Sequence, residues 1–265
     1  MLPILSVRTG DDPARVDAWY EEAVHTGGVM LIDKESSWTS FDVVAKLRSA
    51  WKIPKIGHAG TLDPLATGLL IVCCGKGTKR ITEFQDREKE YRAVVKLGAT
   101  TRTYDAEGEE EDIKDVSHLD PHRIIDAASR FIGSLEQLPP MYSARKVDGK
   151  RLYQLARNGQ DVDRPTTRVH IHALEITDVQ LPRFTMTVRC SKGTYIRTLA
   201  HDIGAALGTG AYLESLRRTA IGEFSVDDAL TVPTLVHLAR ERRDRRAAAA
   251  RAEETTENKD NNGLQ

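Results

Sequence analysis

Residues 57–68 read GHAGTLDPLATG and run straight into LLIVCC at 69–74. Glycines, small residues and a single proline make the first stretch a loop by its chemistry. The second is a short continuous apolar run, which predicts a buried strand. Upstream, Gly27-Gly28 releases another such run, VMLI at 29–32, which predicts a second one. Between the two, Ser40 is placed to cap a helix with Asp42 in its first turn, and Phe41, Val44, Ala45 and Leu47 continue it towards Trp51. Two strands, a helix and a glycine loop therefore frame one acidic residue, Asp63. An aspartate so placed can cap a turn, bind a metal or act as a nucleophile, and loop chemistry alone leaves these three open. His58, beside a glycine, reads equally as a structural or a surface histidine.

Downstream, residues 77–84 predict a short helix and EYRAVVKL at 90–97 a third strand. The acidic block DAEGEEEDIKD at 105–115 reads as a solvated turn or hairpin tip. A helix is expected over 121–133, with Pro121 in its first turn. Two strand-like runs, TRVHIHALEI and RFTMTVRC, lie within 166–193, separated by Leu181-Pro182. Ile196, Leu199, Ala200, Ile203 and Leu207 recur at spacings of three and four and predict a helix over 194–207. Residues 211–226 contain a further strand. The class is α+β, with a mixed, mostly antiparallel sheet flanked by helices. Residues 1–26, polar and broken by Gly10, Asp11, Asp12 and Pro13, read as an N-terminal extension. Residues 27–232 read as the main folded domain. Residues 233–265 are a helical, Arg- and Ala-rich stretch and then a disorder-prone charged tail.

The chain of 265 residues carries 38 Lys plus Arg against 39 Asp plus Glu, and 40% of it is hydrophobic. Collagen-like and wholly disordered chains are excluded. No apolar run approaches the roughly 20 residues of a membrane helix, and the N-terminus lacks the pattern of a secretory signal. Cys73, Cys74 and Cys190 form neither an even disulfide framework nor a CxxC, so a reducing cytoplasm is expected and a zinc site is not. Walker and HExxH motifs are missing from the sequence. Charge is segregated along the chain. Lys46, Arg48, Lys52 and Lys55 precede the glycine loop with no acid between Asp42 and Asp63, and Lys76, Lys79 and Arg80 follow it. Arg145, Lys146, Lys150, Arg151, Arg157, Arg164 and Arg168 share one segment. Such segregation lets a near-neutral protein offer a basic face to a phosphate backbone.

GHAGTLDPLATG resembles the catalytic-aspartate motif of the TruB family of tRNA pseudouridine synthases. GGVMLIDKESSWTSFDVV is similar to the opening strand and helix of that family, and KEYRAVVKLGATTRTYDAEG to its second block. PPMYSARKVDGKRLYQLARNG, CSKGTYIRTLAHDIG and YLESLRRTAIGEF match its later blocks in the same order. The resemblance covers roughly residues 27–226. It implies the pseudouridine-synthase catalytic fold and the isomerisation of uridine to pseudouridine in tRNA, typically at position 55 of the T loop, after base flipping.

The resemblance also implies roles. Asp63 is the nucleophile, attacking C1′ or C6. Arg197, in KGTYIRT, is the cation paired with Asp63. Tyr91 stacks on the uracil and assists proton transfer, and Leu216 forms an apolar wall against water. Lys34, His58, Lys146 and Arg151 are expected to contact the substrate. No cofactor or metal is required, and the expected partner is the T arm of tRNA, with no membrane and no obligatory protein partner. The chain departs from the family at Glu35, where a proline usually follows the lysine. It also shows no evident RNA-binding PUA domain after Phe224. The arginines of 233–253 could contribute RNA contacts in its place, or the helix could pack on the core. A tRNA-binding or tRNA-folding protein without catalysis is the alternative, against which Asp63, Tyr91 and Arg197 together argue. A nucleoside hydrolase would usually need a second carboxylate, and no matching loop supplies one.

Overall fold

The computed structural model describes residues 2–143, 145–147, 149–160 and 162–262, with the backbone alone at 146, 147, 151, 157 and 256–262. In chain order the elements are β1 (Ile4–Leu5), α1 (Val7–Gly10), α2 (Pro13–His25), β2 (Gly28–Lys34), α3 (Ser40–Trp51), β3 (Ile56–His58) and β4 (Thr67–Cys74). A 3-10 turn (Gly75–Arg80), α4 (Ile81–Gln85), β5 (Lys89–Leu97), α5 (Pro121–Ser129) and β6 (Gly133–Gln137) follow. Then come β7 (Lys146–Val147), β8 (Lys150–Arg151), α6 (Leu152–Arg157), β9 (Thr167–Gln180), β10 (Arg183–Cys190) and α7 (Ile196–Leu207). The chain continues through β11 (Ala211–Ile221), β12 (Phe224–Ser225), a 3-10 turn (Val226–Asp228) and β13 (Leu230–Thr231) to α8 (Val232–Asn262).

The chain divides into two compact units. The first comprises residues 1–64, 68–84 and 226–265. Its sheet is built on β2, a continuous apolar strand buried from Gly28 to Ile32. β4 pairs antiparallel along one edge of β2, and β3 pairs antiparallel with β4. The other edge of β2 is taken by two short parallel strands, β1 opposite Val29–Met30 and β13 opposite Ile32–Asp33. The extension is therefore folded. Asp12 accepts from the Ala14 N–H at 2.9 Å and Pro13 opens α2, so the residues that break α1 are those that start α2. Gly28 lets α2 approach β2: a Cβ there would lie 2.7 Å from the Cβ of Ala23. Gly27, at φ +100°, would place a Cβ 2.2 Å from the Gly77 nitrogen, so only glycine fits.

α2 and α3 meet through Trp19 and Trp51, edge to face at 5.1 Å. α8 packs along both, burying Val232, Leu235, Ala239 and Arg242 as one stripe. Arg242 lies 3.4 Å above the Tyr20 ring and pairs with Asp17 at 3.3 Å and Glu21 at 2.8 Å. Arg245 adds a second pairing to Asp17 and Arg246 one to Glu21. These three arginines are thus engaged by the acids of α2.

The second unit comprises residues 65–67 and 85–225. Its sheet is antiparallel throughout, in the order β11-β5-β10-β9-β6, with β12 folded back on β11. β5 shows the alternation expected of a half-covered strand. β6 is an addition to the sequence reading: the helix expected to reach 133 stops at Ser129, and Gly133, at φ +107°, starts the strand. α7 starts at Ile196 rather than 194 and ends on Gly208 at φ +75°.

Two local expectations are corrected. The cap of α3 is Thr39, not Ser40. Thr39 and Asp42 form a reciprocal capping box, which frees Ser40 for another bond. The 105–115 block is not uniformly solvated either, because Asp105 is buried.

Candidate active site

In the first unit, Asp63 sits half-buried in the loop between β3 and β4. The peptides on both sides of it are held. Leu62 donates its N–H to Ser40 Oγ at 2.9 Å and accepts the Ser40 hydroxyl at its carbonyl at 3.2 Å. The Pro64 carbonyl accepts from the Ser37 N–H at 2.9 Å. Ala59 N–H bonds the Ile71 carbonyl at 2.8 Å, tying the loop start to β4. Leu62, Ala59 and Ala66 are buried, and Gly60 turns the chain at φ +110°. Asp63 is therefore presented from a rigid frame by α3 and β4, which is what a reacting group needs.

Lys34 completes that frame. It ends β2 and is fully buried. Its ammonium donates to the carbonyls of Glu35 at 2.8 Å, Trp38 at 2.7 Å and Pro64 at 3.4 Å. A buried ammonium needs such acceptors. Here they join the turn before α3 to the residue after Asp63. His58 lies at the end of β3, half-buried.

In the second unit, Tyr91 is a buried residue of β5, opposite Val188 and Arg218 of its two neighbouring strands. Leu216 is buried on β11, where its carbonyl accepts the Thr67 hydroxyl at 3.4 Å. Arg197, second residue of α7, is 4% exposed, so it is no surface arginine. Its Nη1 donates to the Thr103 carbonyl at 2.9 Å and its Nη2 to the Tyr142 carbonyl at 2.8 Å. Its Nη1 also lies 3.1 Å from Asp105 Oδ2. That contact is an ion pair rather than an aligned hydrogen bond, because Asp105 Oδ2 accepts no hydrogen bond among the described residues. Asp105 is itself fixed: its Oδ1 accepts from the Glu107 N–H at 3.1 Å, and its carbonyl takes the Thr101 hydroxyl at 2.7 Å. Tyr104 stacks on His201 of α7 at 4.0 Å, one helical turn beyond Arg197. Gln137 of β6 bonds both backbone groups of Tyr195, at 2.9 and 3.1 Å, and so holds the entrance to α7.

Asp63, Lys34 and His58 thus fall in the first unit, and Tyr91, Arg197 and Leu216 in the second. Lys146 and Arg151 are register partners in the β7–β8 hairpin, and their side chains lie outside the described ones. Two residues escaped the sequence reading. Asp105 was hidden by the acids that follow it. Ser40 was assigned to the cap, although Thr39 with Asp42 three residues on is the stronger capping pattern.

Two family models match adjoining stretches: the TruB family pseudouridylate synthase N-terminal domain over residues 48–196, and the tRNA pseudouridylate synthase B C-terminal domain over residues 197–252. The chain belongs to the TruB family. It is 46% identical over 230 residues to tRNA pseudouridine synthase B of Chlorobaculum tepidum, covering 85% of this chain and 94% of that protein. To the protein of the same name from Phocaeicola vulgatus it is 49% identical over 212 residues, 78% of this chain and 90% of the other. Among solved structures, a chain of a Cbf5-Nop10-Gar1 complex superposes with a TM-score of 0.65 at 30% identity, over 82% of this TruB-family chain and 56% of the other. In this family member the C-terminal match, over residues 197–252, takes in the start of the stretch after Phe224 where no PUA domain was evident from sequence. No helix among the described residues is long and apolar enough to cross a membrane.

Proposed function

We infer that this chain isomerises uridine to pseudouridine in tRNA, at position 55 of the T loop, and that it does so in the cytoplasm without an obligatory protein partner. The observation that carries the reading is the doubly anchored Asp63 loop in a chain of the TruB family. The reaction breaks the N1–C1′ bond, turns the uracil, joins C5 to C1′ and releases the C5 proton. Asp63 is assigned as the carboxylate that attacks C1′ or C6. Arg197 is assigned the cation that favours the ionised nucleophile, as the family resemblance implies. Its fixed carbonyl and carboxylate partners support a preorganised role. Tyr91 is assigned to stack on the turning base and to help remove the proton, and Leu216 to keep water from the intermediate.

Lys34 is assigned to position the loop, because its ammonium is committed to backbone carbonyls. His58, Lys146 and Arg151 are assigned to the RNA. The target base must leave its stack, at a cost of a few kcal/mol, and phosphate contacts offset that cost.

The test uses unmodified tRNA transcript tritiated at uracil C5. Wild-type protein is expected to release tritium and to modify position 55. Asp63→Asn should lose release by at least about a thousandfold while still binding tRNA. Tight binding with no release by wild type would replace this reading with a tRNA-binding protein. Release from another nucleotide would keep the chemistry and displace the substrate.

A further inference from the structure

The exposed flank of α3 has no part in the roles above. The helix buries Val43, Val44, Leu47 and Trp51 and leaves Phe41, Ala45 and Arg48 in solvent, and its C-cap Lys52 is exposed as well. Phe41, Ala45 and Arg48 recur at i, i+4 and i+7, so they form one line along the helix, and Lys52 follows as its left-handed C-cap at φ +56°. Phe41 is 66% exposed, and among the described residues it is the one aromatic side chain left mainly to solvent.

Hydrogen bonds at both ends place α3 alongside the segment that carries Asp63. Ser40, next to Phe41, bonds Leu62. Arg48 Nη2 donates to the Ile56 carbonyl at 3.2 Å, at the start of β3. Positive charge continues past the helix: the Lys55 carbonyl accepts from the Gly75 N–H at 2.7 Å, which brings exposed Lys55 beside exposed Lys76. The acids of this stretch are few. Besides Asp33 on β2 and Asp63 itself, Glu35 lies in the turn before the helix, Asp42 is turned back onto Thr39, and Glu83 is held by Arg80. An uncovered ring followed by a line of cations is the pattern that holds single-stranded nucleic acid, the ring taking a base and the cations the phosphates. From Phe41 to Arg48 the line is about 10 Å long, from the helical rise, and Lys52 extends the charge past the helix end.

We propose that this flank of α3 binds the unpaired RNA strand next to the target uridine, with Phe41 stacking on a neighbouring base and Arg48, Lys52 and Lys55 holding the phosphates that follow. This rests on the pseudouridine-synthase reading of Asp63. Stacking would cover the ring that the fold leaves bare.

The test compares wild type, Phe41→Ala, Phe41→Leu, Phe41→Trp and Lys52→Gln/Lys55→Gln for affinity towards unmodified tRNA transcript across a salt series. Tritium release at saturating tRNA is followed in parallel. Phe41→Ala and Phe41→Leu should each weaken binding about tenfold, with Phe41→Trp restoring it. The lysine pair should lower the slope of log affinity against log salt by about 1.4. Saturating rates should stay within about twofold of wild type. The proposal falls if Phe41→Ala binds like wild type, if Trp fails to rescue, or if the salt slope is unchanged. Wild-type release with unaltered binding in these variants overturns the α3 surface alone, whereas absence of release by wild type overturns the reading of Asp63 itself. All the substituted side chains are exposed, so unchanged melting temperatures are expected and serve as the folding control.

Discussion

Asp105 shows how burial changes what a residue is worth. In the sequence it opens a run of acids that belongs in water, yet the fold draws it to 1% exposure against Arg197, itself 4% exposed. Removing one partner of such a pair strands the other, at a cost of about 3–5 kcal/mol. Asp105→Ala is therefore expected to lower stability by about that much in urea titration, and Asp105→Asn by less. Asp105→Asn should also lower kcat more than it raises KM, because Arg197 keeps its two carbonyl partners but loses the charge that centres it. A change in KM alone would assign Asp105 to substrate binding. Lys34 makes a similar case. Its ammonium links three carbonyls around Asp63, so Lys34→Met should lower kcat and the melting temperature together while tRNA affinity changes little. Sequence motifs single out Asp63 and Arg197 as candidates. They could not name Asp105, since charge patterning sees neighbours along the chain and not across the fold.

The start of α3 separates two hydroxyls that look alike in sequence. Thr39 closes the capping box and Ser40 grips the Asp63 loop. Thr39→Ala should cost about 1 kcal/mol of stability by loss of the cap. Ser40→Ala should cost a similar amount, about 0.5–1.5 kcal/mol per lost bond, and should in addition depress kcat. Equal kcat in the two variants would argue against any control of Asp63 by Ser40. The strands and helices with strong periodicity, β5, β10 and α7, were legible because each carries its pattern within its own residues. The structured extension was not. α2 is fastened by Arg242, Arg245 and Arg246, more than 200 positions away, and no local pattern in 1–26 reveals them. If that clasp acts as one network, Arg242→Ala combined with Asp17→Ala should destabilise by no more than about 0.5 kcal/mol beyond the worse single change. Additive losses would mean that Arg242 holds α2 through the Tyr20 ring instead.

For the molecule as a whole, one half-buried acid contributes a pH dependence. Burial pushes the Asp202 carboxyl on α7 up from 3.8 to about 6. The folded chain then holds that proton more tightly than the unfolded chain. The associated stability is full below about pH 4 and is lost as pH rises through about 6. Asp202→Asn should raise the melting temperature at pH 8 by about 2–4 °C and leave it unchanged at pH 4. Equal shifts at both pH values would show that the effect is not proton-linked. The α+β class and mostly antiparallel pairing could be read from the chain, whereas the two short parallel strands beside β2 could not, being only two residues long each. The division into units has a further consequence for biosynthesis. The second unit is almost continuous in the chain, but the first is assembled from 1–64, 68–84 and 226–265. A ribosome delivers residues in order. The strands and helix that frame Asp63 emerge early and then wait through the whole of the second unit for β13 and α8. The nascent chain thus holds its Asp63 loop on an unfinished scaffold until residues 226–265 have been made.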